Sequence, residues 1–169
     1  HLSLRRQRQM CIRDRALGEL NLWQLAIKPG KPFAYGSVRR DTVQQTQSTN
    51  EAQPSVSCHF MGLPGNPVSS FVTFLLLVRP FVLALQGAAQ TDITRTAMTA
   101  HFDWPRADKR REFLRVRRNA QGGLDLFPNQ SSGVLTSAVW GDGVIDNPAG
   151  QTIAKGDTVQ FISFAEWLA

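Results

Sequence analysis

The chain has 169 residues, and 42% of them are hydrophobic, enough to bury an ordinary core in one domain or two small ones. The formal net charge is +6, but five of the arginines lie in residues 1–15 with a single aspartate. Because the charge is mostly one terminal run and not a basic face interleaved with aromatic residues, it does not favour nucleic-acid binding. The two cysteines, Cys11 and Cys58, support neither a disulfide framework nor a metal site and indicate a reducing, cytoplasmic compartment.

The first fifteen residues, HLSLRRQRQMCIRDR, resemble translated adapter sequence as much as protein. We predict residues 1–15 to be a non-native or disordered segment and assign no function to it. Because the chain begins with His1 and not with Met, we expect it to be part of a longer protein.

Residues 16–90 have the pattern of an α/β domain. Short apolar runs at 22–27, 33–36 and 58–63 predict strands, and residues 37–57 are polar enough for a long exposed loop or a disordered insert. Apolar residues recur at three- and four-residue steps from Val68 to Leu85 and predict one broad buried helix face. The face consists of Phe71, Phe74, Leu75, Val78, Phe81, Val82 and Leu85.

This helix admits two interpretations, since its length also suits a membrane span. Ser69, Ser70, Thr73 and the Arg79-Pro80 pair interrupt the apolar run. A charged residue costs about 2.5 to 3.5 kcal/mol on membrane-insertion scales. A core helix kinked at Pro80 and ending at Gly87 is therefore favoured, with no membrane partner.

Residues 94–164 have the pattern of an all-β module and predict a small sheet or barrel of about five strands. In residues 113–118, Leu114 and Val116 alternate with Arg115 and Arg117, as in a strand with one buried face. Residues 121–123 predict a hairpin turn, and residues 157–164 a last strand.

Two loops carry the candidate chemistry. In GLPGNP, residues 62–67, Asn66 is a good helix N-cap and Pro67 suits the first turn, so free amides at the helix start could bind an anion. In KPGKP, residues 28–32, two lysines on a proline-stiffened loop could bind phosphate or molybdate. A tight strand-to-helix turn and a pair of solvated lysines are the respective alternatives.

Both loops follow predicted strands, and ligands collect at the carboxyl ends of strands in open α/β sheets. We therefore expect them to share one mouth. The three histidines show no ligand spacing and no nucleophilic partner, so a catalytic triad or a zinc site is not predicted.

Together, WQLAIKPGKPFAYG (residues 23–36) and MGLPGNPVSSFVTF (residues 61–74) resemble the molybdopterin molybdenumtransferase family, which includes the C-terminal region of gephyrin. Residues 111–115 (REFLR) and 129–133 (NQSSG) resemble two motifs of that family's C-terminal β-barrel. The resemblance runs from about residue 17 to the end. It implies part of a three-layer molybdopterin-binding α/β domain, residues 16–90, followed by a β-barrel domain, residues 94–169.

The resemblance also implies a function in molybdenum cofactor biosynthesis. The family's reaction joins molybdate to adenylylated molybdopterin and releases AMP, with Mg²⁺, in a homodimer whose active site takes residues from both subunits. The family's substrate-binding positions correspond here to Lys28, Lys31, Pro64, Gly65, Asn66, Pro67, Arg115 and Ser132. No residue resembles a catalytic acid or base or a metal ligand.

This sequence departs from the family pattern at several points. The family's serine- and glycine-rich phosphate loop, with its acidic residues, would precede residue 16, so we expect this chain to be inactive alone. Gln24 stands where many members carry a lysine, which would weaken anion binding. A non-catalytic scaffold module that binds cofactor or peptide with the same surface is the alternative, and the choice between molybdenum and tungsten stays open.

Overall fold

The computed structural model describes residues 19–39 and 57–168. The predictions for residues 1–15 and for residues 40–56 of the polar segment lie outside the described residues. The strands are β1 Glu19–Gln24, β2 Ile27–Lys28, β3 Pro32–Arg39, β4 Ser57–Gly62, β5 Thr96–Thr99, β6 Arg111–Arg118, β7 Leu124–Leu126, β8 Gly143–Asn147 and β9 Thr158–Ser163. The helices are α1 Pro67–Thr73 and α2 Arg79–Leu85, joined by the π-helical segment Phe74–Val78, then α3 Thr136–Trp140 and α4 Phe164–Leu168.

One compact unit consists of the described residues 19–23, 33–39 and 57–62. It is a three-stranded sheet in the order β1-β3-β4, in which β3 and β4 are antiparallel. The strands predicted at 33–36 and 58–63 are confirmed, and each is extended at its polar end, since Ser37 to Arg39 still pair with the start of β4. The single strand predicted over 22–27 is wrong, because the chain leaves β1 after Gln24 and enters a different sheet as β2.

The second unit consists of residues 24–32 and 63–168. In it the long helix packs with the C-terminal strands. Its sheet has six strands in the order β2-β6-β8-β9-β5, with β7 also paired to β6. Strand β2 runs parallel to β6 and the other pairings are antiparallel. The result is a mixed sheet with helices, since α3 and α4 lie within residues 94–169 and β2 joins from outside them. The all-β barrel and the three-layer domain stay predictions.

Strand β6 pairs with three others, β2, β7 and β8, and both of its faces are covered. Phe113 joins a core cluster with the long helix and α4, whereas Leu114 and Val116 join a second cluster formed by the remaining strands. The alternation predicted for residues 113–118 is therefore wrong in one respect, because Arg115 does not face solvent. All five residues from Glu112 to Val116 are buried. A strand enclosed on both faces loses the solvent-facing side on which the predicted alternation depends.

The long helix contains the predicted irregularity, but earlier than Pro80. Proline has no N–H and its ring clashes with the carbonyl four residues back. The π-helical segment Phe74–Val78 lies directly before the Arg79-Pro80 pair, and insertions of this kind occur as short bulges inside α-helices. Gly87, with φ of 80°, follows the helix end, as predicted.

The buried face of the helix differs from the predicted one. Val68, Val72 and Leu75 have no exposed surface, whereas Phe74, Val82 and Leu85 are exposed. Val68 and Val72 precede the π-helical turn and are buried because they pack in the core cluster with Phe113. The turn itself adds residues and so rotates the side chains after it, which a constant 3.6-residue period does not anticipate. The helix Pro67–Leu85 is long and apolar enough to cross a membrane by length and composition alone, yet its first half lies in the protein's own core.

A pair of leucine variants tests which helix face is buried. Leu75→Ala should lower the free energy of unfolding by about 2 to 5 kcal/mol, since it leaves a cavity in the core. Leu85→Ala, the same change on the same helix at a side chain that is 61% exposed, should cost less than about 1 kcal/mol. Urea unfolding followed by circular dichroism measures both, and equal losses would contradict the described burial.

Candidate functional site

Three of the sequence motifs meet in one open pocket of about 370 Å³, all within the second unit. The KPGKP loop, residues 28–32, forms one wall. Asn66 and Ser69 contribute from the GLPGNP loop and the start of α1, and residues 130–132 contribute from the NQSSG segment. The expectation that the two candidate loops share one mouth is confirmed, and Arg110 completes the lining.

Gly30 allows the KPGKP loop to lie directly on the helix. Its φ is 121°, and a Cβ atom at this position would lie 2.5 Å from the hydroxyl oxygen of Thr73 and 3.1 Å from Ile27. Both the backbone conformation and the lack of space therefore require glycine. The close approach fixes the loop between the helix and strand β2.

Lys28 is bound to carboxylates and is not a free cation. Its ammonium nitrogen lies 3.0 Å from Oε1 of Glu112 and 3.1 Å from Oδ2 of Asp108. Glu112 is 1% exposed, and its other oxygen accepts a hydrogen bond of 2.8 Å from the indole N–H of Trp104. Partial burial acts to lower the pKa of Lys28, but the bonds to Glu112 and Asp108 outweigh it and raise that pKa above its ordinary value.

Asp108 joins Lys28 to Arg110. Its two oxygens accept hydrogen bonds of 2.9 Å from Nε and Nη2 of Arg110, and one also accepts the backbone N–H of Arg110. The hydrogen bonds from Arg110 hold the pKa of Asp108 well below its ordinary value despite burial, and the same pairing raises the pKa of Arg110. The carboxylate is therefore ionised at neutral pH and orients both cations.

Asn66 contributes through its side chain, but not as the predicted N-cap. It occupies the N-cap position without capping the helix, and its Nδ2 instead donates to Oγ of Ser132 at 2.8 Å. The Val68 N–H, one of the amides expected to be free for an anion, donates to the carbonyl of Ser132 at 3.2 Å. These two bonds join the GLPGNP loop to the NQSSG segment.

Arg115 lies behind the pocket wall and not in its lining. It is 1% exposed, and its guanidinium donates to Oγ of Ser137 and to the carbonyls of Phe113 and Ser131. No carboxylate among the described residues pairs with it, and burial lowers its pKa to about 10. An unpaired buried cation directly behind Ser131 raises the positive potential of the pocket.

Of the predicted substrate-binding residues, Lys28, Lys31, Asn66 and Ser132 line the pocket. The lining does not include the other four, Pro64, Gly65, Pro67 and Arg115. Pro64 accepts the hydroxyl hydrogen of Ser70 through its carbonyl, which is a role in the turn itself. For all eight residues, substrate binding stays a prediction.

The sequence did not reveal Arg110, Asp108 or Gln130 as parts of the site. The first two lie in a charged run that resembles an ordinary solvated segment. Gln130 pairs with strand β6 as a neighbouring strand would: its side-chain amide accepts the N–H of Arg115 and donates to the Arg115 carbonyl. The signal that could have found Gln130 is its place inside the NQSSG motif.

Across the described part of the chain, no group of three or more His, Cys, Asp or Glu side chains could hold a metal ion. The two carboxylates nearest the pocket, Asp108 and Glu112, already face cations. These residues therefore do not fit a magnesium site.

Residues 97–164 match the family model described as MoeA C-terminal region (domain IV). The chain is 43% identical over 74 residues to the molybdopterin molybdenumtransferase of Haemophilus influenzae, covering 44% of this chain and 14% of that protein. It is 33% identical over 128 residues to the molybdenum cofactor synthesis protein cinnamon of Drosophila melanogaster, covering 73% of this chain and 18% of that protein. The chain thus spans less than a fifth of the length of these relatives.

Solved structures with similar folds cover more of the chain. A molybdenum cofactor biosynthesis protein from Pyrococcus furiosus superposes with a TM-score of 0.64 at 22% identity, over 86% of this chain and 46% of that one. A molybdopterin biosynthesis MoeA protein from Pyrococcus horikoshii gives a TM-score of 0.64 at 26% identity, over 89% of this chain and 33% of that one.

Substitution of the two loop lysines separates a structural cation from a free one. Lys28→Met removes the charge that compensates buried Glu112 and should lower the free energy of unfolding by about 1 to 3 kcal/mol. The lower half of that range is expected, because the Lys28 side chain is 40% exposed and water screens the pair. Lys31→Met, the matched control at an exposed position, should change stability by no more than about 0.5 kcal/mol. Equal effects in urea unfolding would show that Lys28 is not a structural partner of Glu112.

Acid titration tests the role of Asp108. A carboxylate whose pKa is lower in the folded than in the unfolded protein stabilises the fold above its ordinary pKa, here 3.8. That stabilisation is lost as the pH falls through the folded value. The difference in unfolding free energy between the unsubstituted chain and Asp108→Asn should be constant from about pH 7 to 5 and shrink below about pH 4. A difference that does not change with pH would contradict the pairing.

Proposed function

Because the chain belongs to the molybdopterin molybdenumtransferase family, we propose that its pocket takes part in molybdenum insertion during molybdenum cofactor biosynthesis. The reaction converts molybdate and adenylylated molybdopterin into the molybdenum cofactor and AMP. The observation that carries the proposal is the convergence of Lys28, Lys31, Asn66 and Ser132, from three separate motifs, around one cavity. That cavity suits an oxyanion.

The physical basis is one free ammonium group, that of Lys31, beside two polar side chains that are held in place. Lys31 is exposed in the lining, Asn66 and Ser132 hold each other in place, and buried Arg115 adds positive potential from behind. Donors held by such contacts do not need to reorganise when an anion arrives, which strengthens their effect on developing charge. Within this proposal the residues bind and orient the molybdate or the phosphate of the pterin substrate.

Several parts of the proposal need groups that the described residues do not supply. Magnesium takes part in the family's reaction, but its ligands would come from elsewhere in the full-length protein or from the substrate. We place the active protein in the cytoplasm as a homodimer, with part of a three-layer domain and a C-terminal barrel. This chain alone is proposed to be inactive.

Turnover by the complete reading frame tests the function. The protein extended by any upstream sequence should release AMP from adenylylated molybdopterin when molybdate and Mg²⁺ are present, and the 169-residue chain should not. Lys31→Ala and Ser132→Ala in the extended protein should each reduce the rate by about tenfold or more, the effect of losing one charge-assisted or oriented donor. Lys155→Ala, which removes an exposed charge outside the pocket lining, serves as the control.

Release of AMP that is insensitive to both pocket variants would place the reaction elsewhere in the protein. A correctly folded extended protein that binds the pterin substrate but never releases AMP would support the scaffold alternative instead.

A further inference from the structure

Trp104 belongs to the network around Glu112 but does not line the pocket. Its backbone N–H and C=O both pair with Ile153, at 2.7 and 3.0 Å, and its ring packs against the second core cluster. The indole is therefore held in place by groups that belong neither to the pocket nor to the ion pairs. It presents its N–H to Glu112 from a fixed position.

The indole N–H fixes the orientation of the Glu112 carboxylate. The last torsion of a glutamate side chain is broad and roughly two-fold, so a single bond would leave the carboxylate free to rotate. Here Lys28 binds Oε1 at 3.0 Å and Trp104 binds Oε2 at 2.8 Å, and two partners on two oxygens define the plane of the group. The indole is the neutral partner, so salt screens its bond less than the ion pair with Lys28, which is 40% exposed.

Lys28 connects the carboxylate to the KPGKP loop. The Lys28 ammonium contacts Glu112 at 3.0 Å and Asp108 at 3.1 Å, and Lys28 is the first residue of the loop. The backbone carbonyl of Lys31, the second lysine of the loop, accepts the N–H of Leu25 at 2.8 Å. A shift of the carboxylate therefore moves the anchor of the loop on which Lys31 reaches the pocket.

On the basis of the proposed function, we infer that Trp104 is a positioning residue for this pocket. Its indole N–H orients Glu112, Glu112 holds Lys28, and Lys28 sets the position in which Lys31 meets the substrate. Trp104 acts only through these neighbours and does not touch the substrate itself. Substrate affinity, and not the chemical step, is the quantity that depends on it.

Steady-state turnover of the extended protein tests this role. Trp104→Phe keeps an aromatic ring and the backbone pairing with Ile153 but removes the N–H. It should raise the KM for adenylylated molybdopterin about threefold or more, since a charged acceptor loses a hydrogen bond, and leave kcat within about twofold. Trp140→Phe, the matched control, should change neither. Trp140 is also partly buried and outside the lining, and its indole N–H has no hydrogen-bond partner among the described residues.

A double-mutant cycle tests the route through Lys28. Combining Trp104→Phe with Lys28→Met should raise KM no further than Lys28→Met alone, because the connection to the loop is already broken. If the two substitutions instead multiply each other's effects, Trp104 acts by another route and the inference is wrong.

Amide hydrogen exchange of the 169-residue chain tests the same role without turnover. The Leu25 N–H spans the KPGKP loop, and the Arg111 N–H bonds to the Ala26 carbonyl at 2.9 Å. Both amides should exchange about threefold faster or more in Trp104→Phe, because the loop is less firmly held. In Trp140→Phe they should exchange as in the unsubstituted chain. NMR spectra resolve the amides individually and show that both variants are folded.

The outcomes separate the inference from the proposed function. If the extended protein releases no AMP, the proposed function is wrong, and amide exchange alone decides whether Trp104 holds the loop. Unchanged exchange in Trp104→Phe contradicts the inference whatever the turnover. Faster exchange with an unchanged KM contradicts it as well, because the loop would then move without affecting the substrate.

Discussion

The buried carboxylate of Glu112 is the constraint on which the site depends. A carboxylate that is removed from water must be paired and hydrogen-bonded, and here Lys28 satisfies one oxygen and Trp104 the other. Because Lys28 pairs in register with Glu112 across strands β2 and β6, this requirement holds the KPGKP loop against strand β6. Residues 84 positions apart in the chain thereby become neighbours.

The four positive side chains in and behind the pocket have different roles. Lys28 is a structural cation, Arg110 a cation oriented by Asp108, and Arg115 a buried cation whose partners are all neutral. Of the four, only the Lys31 side chain has no hydrogen-bond or ion-pair partner among the described residues, although its backbone carbonyl accepts the N–H of Leu25. A formal count of positive residues would treat the four as equal, although only two of them, Lys31 and Arg110, present donors to the cavity.

The two core clusters support this arrangement from opposite faces of the sheet. Phe113 packs toward the long helix and Leu114 toward the remaining strands, so strand β6 cannot slide by one residue without burying the wrong side chains. Arg115 follows in the same buried strand, and Gln130 bonds to its backbone. The core thus fixes the position of the NQSSG segment, which contributes Ser132 to the pocket.

The sequence by itself determined the local structure and the motifs. Apolar runs, glycines and prolines are local signals, and they correctly indicated β4, the long helix, its end at Gly87 and the two loops that share the pocket. Only the tertiary structure decided which charges are free, because the burial of Arg115 and the pairing of Lys28 with Glu112 depend on strands that are distant in sequence. Packing likewise decided which helix face is buried after Phe74 and that Arg110 lines the pocket. A 3.6-residue period and a run of charged residues carry no information about such contacts.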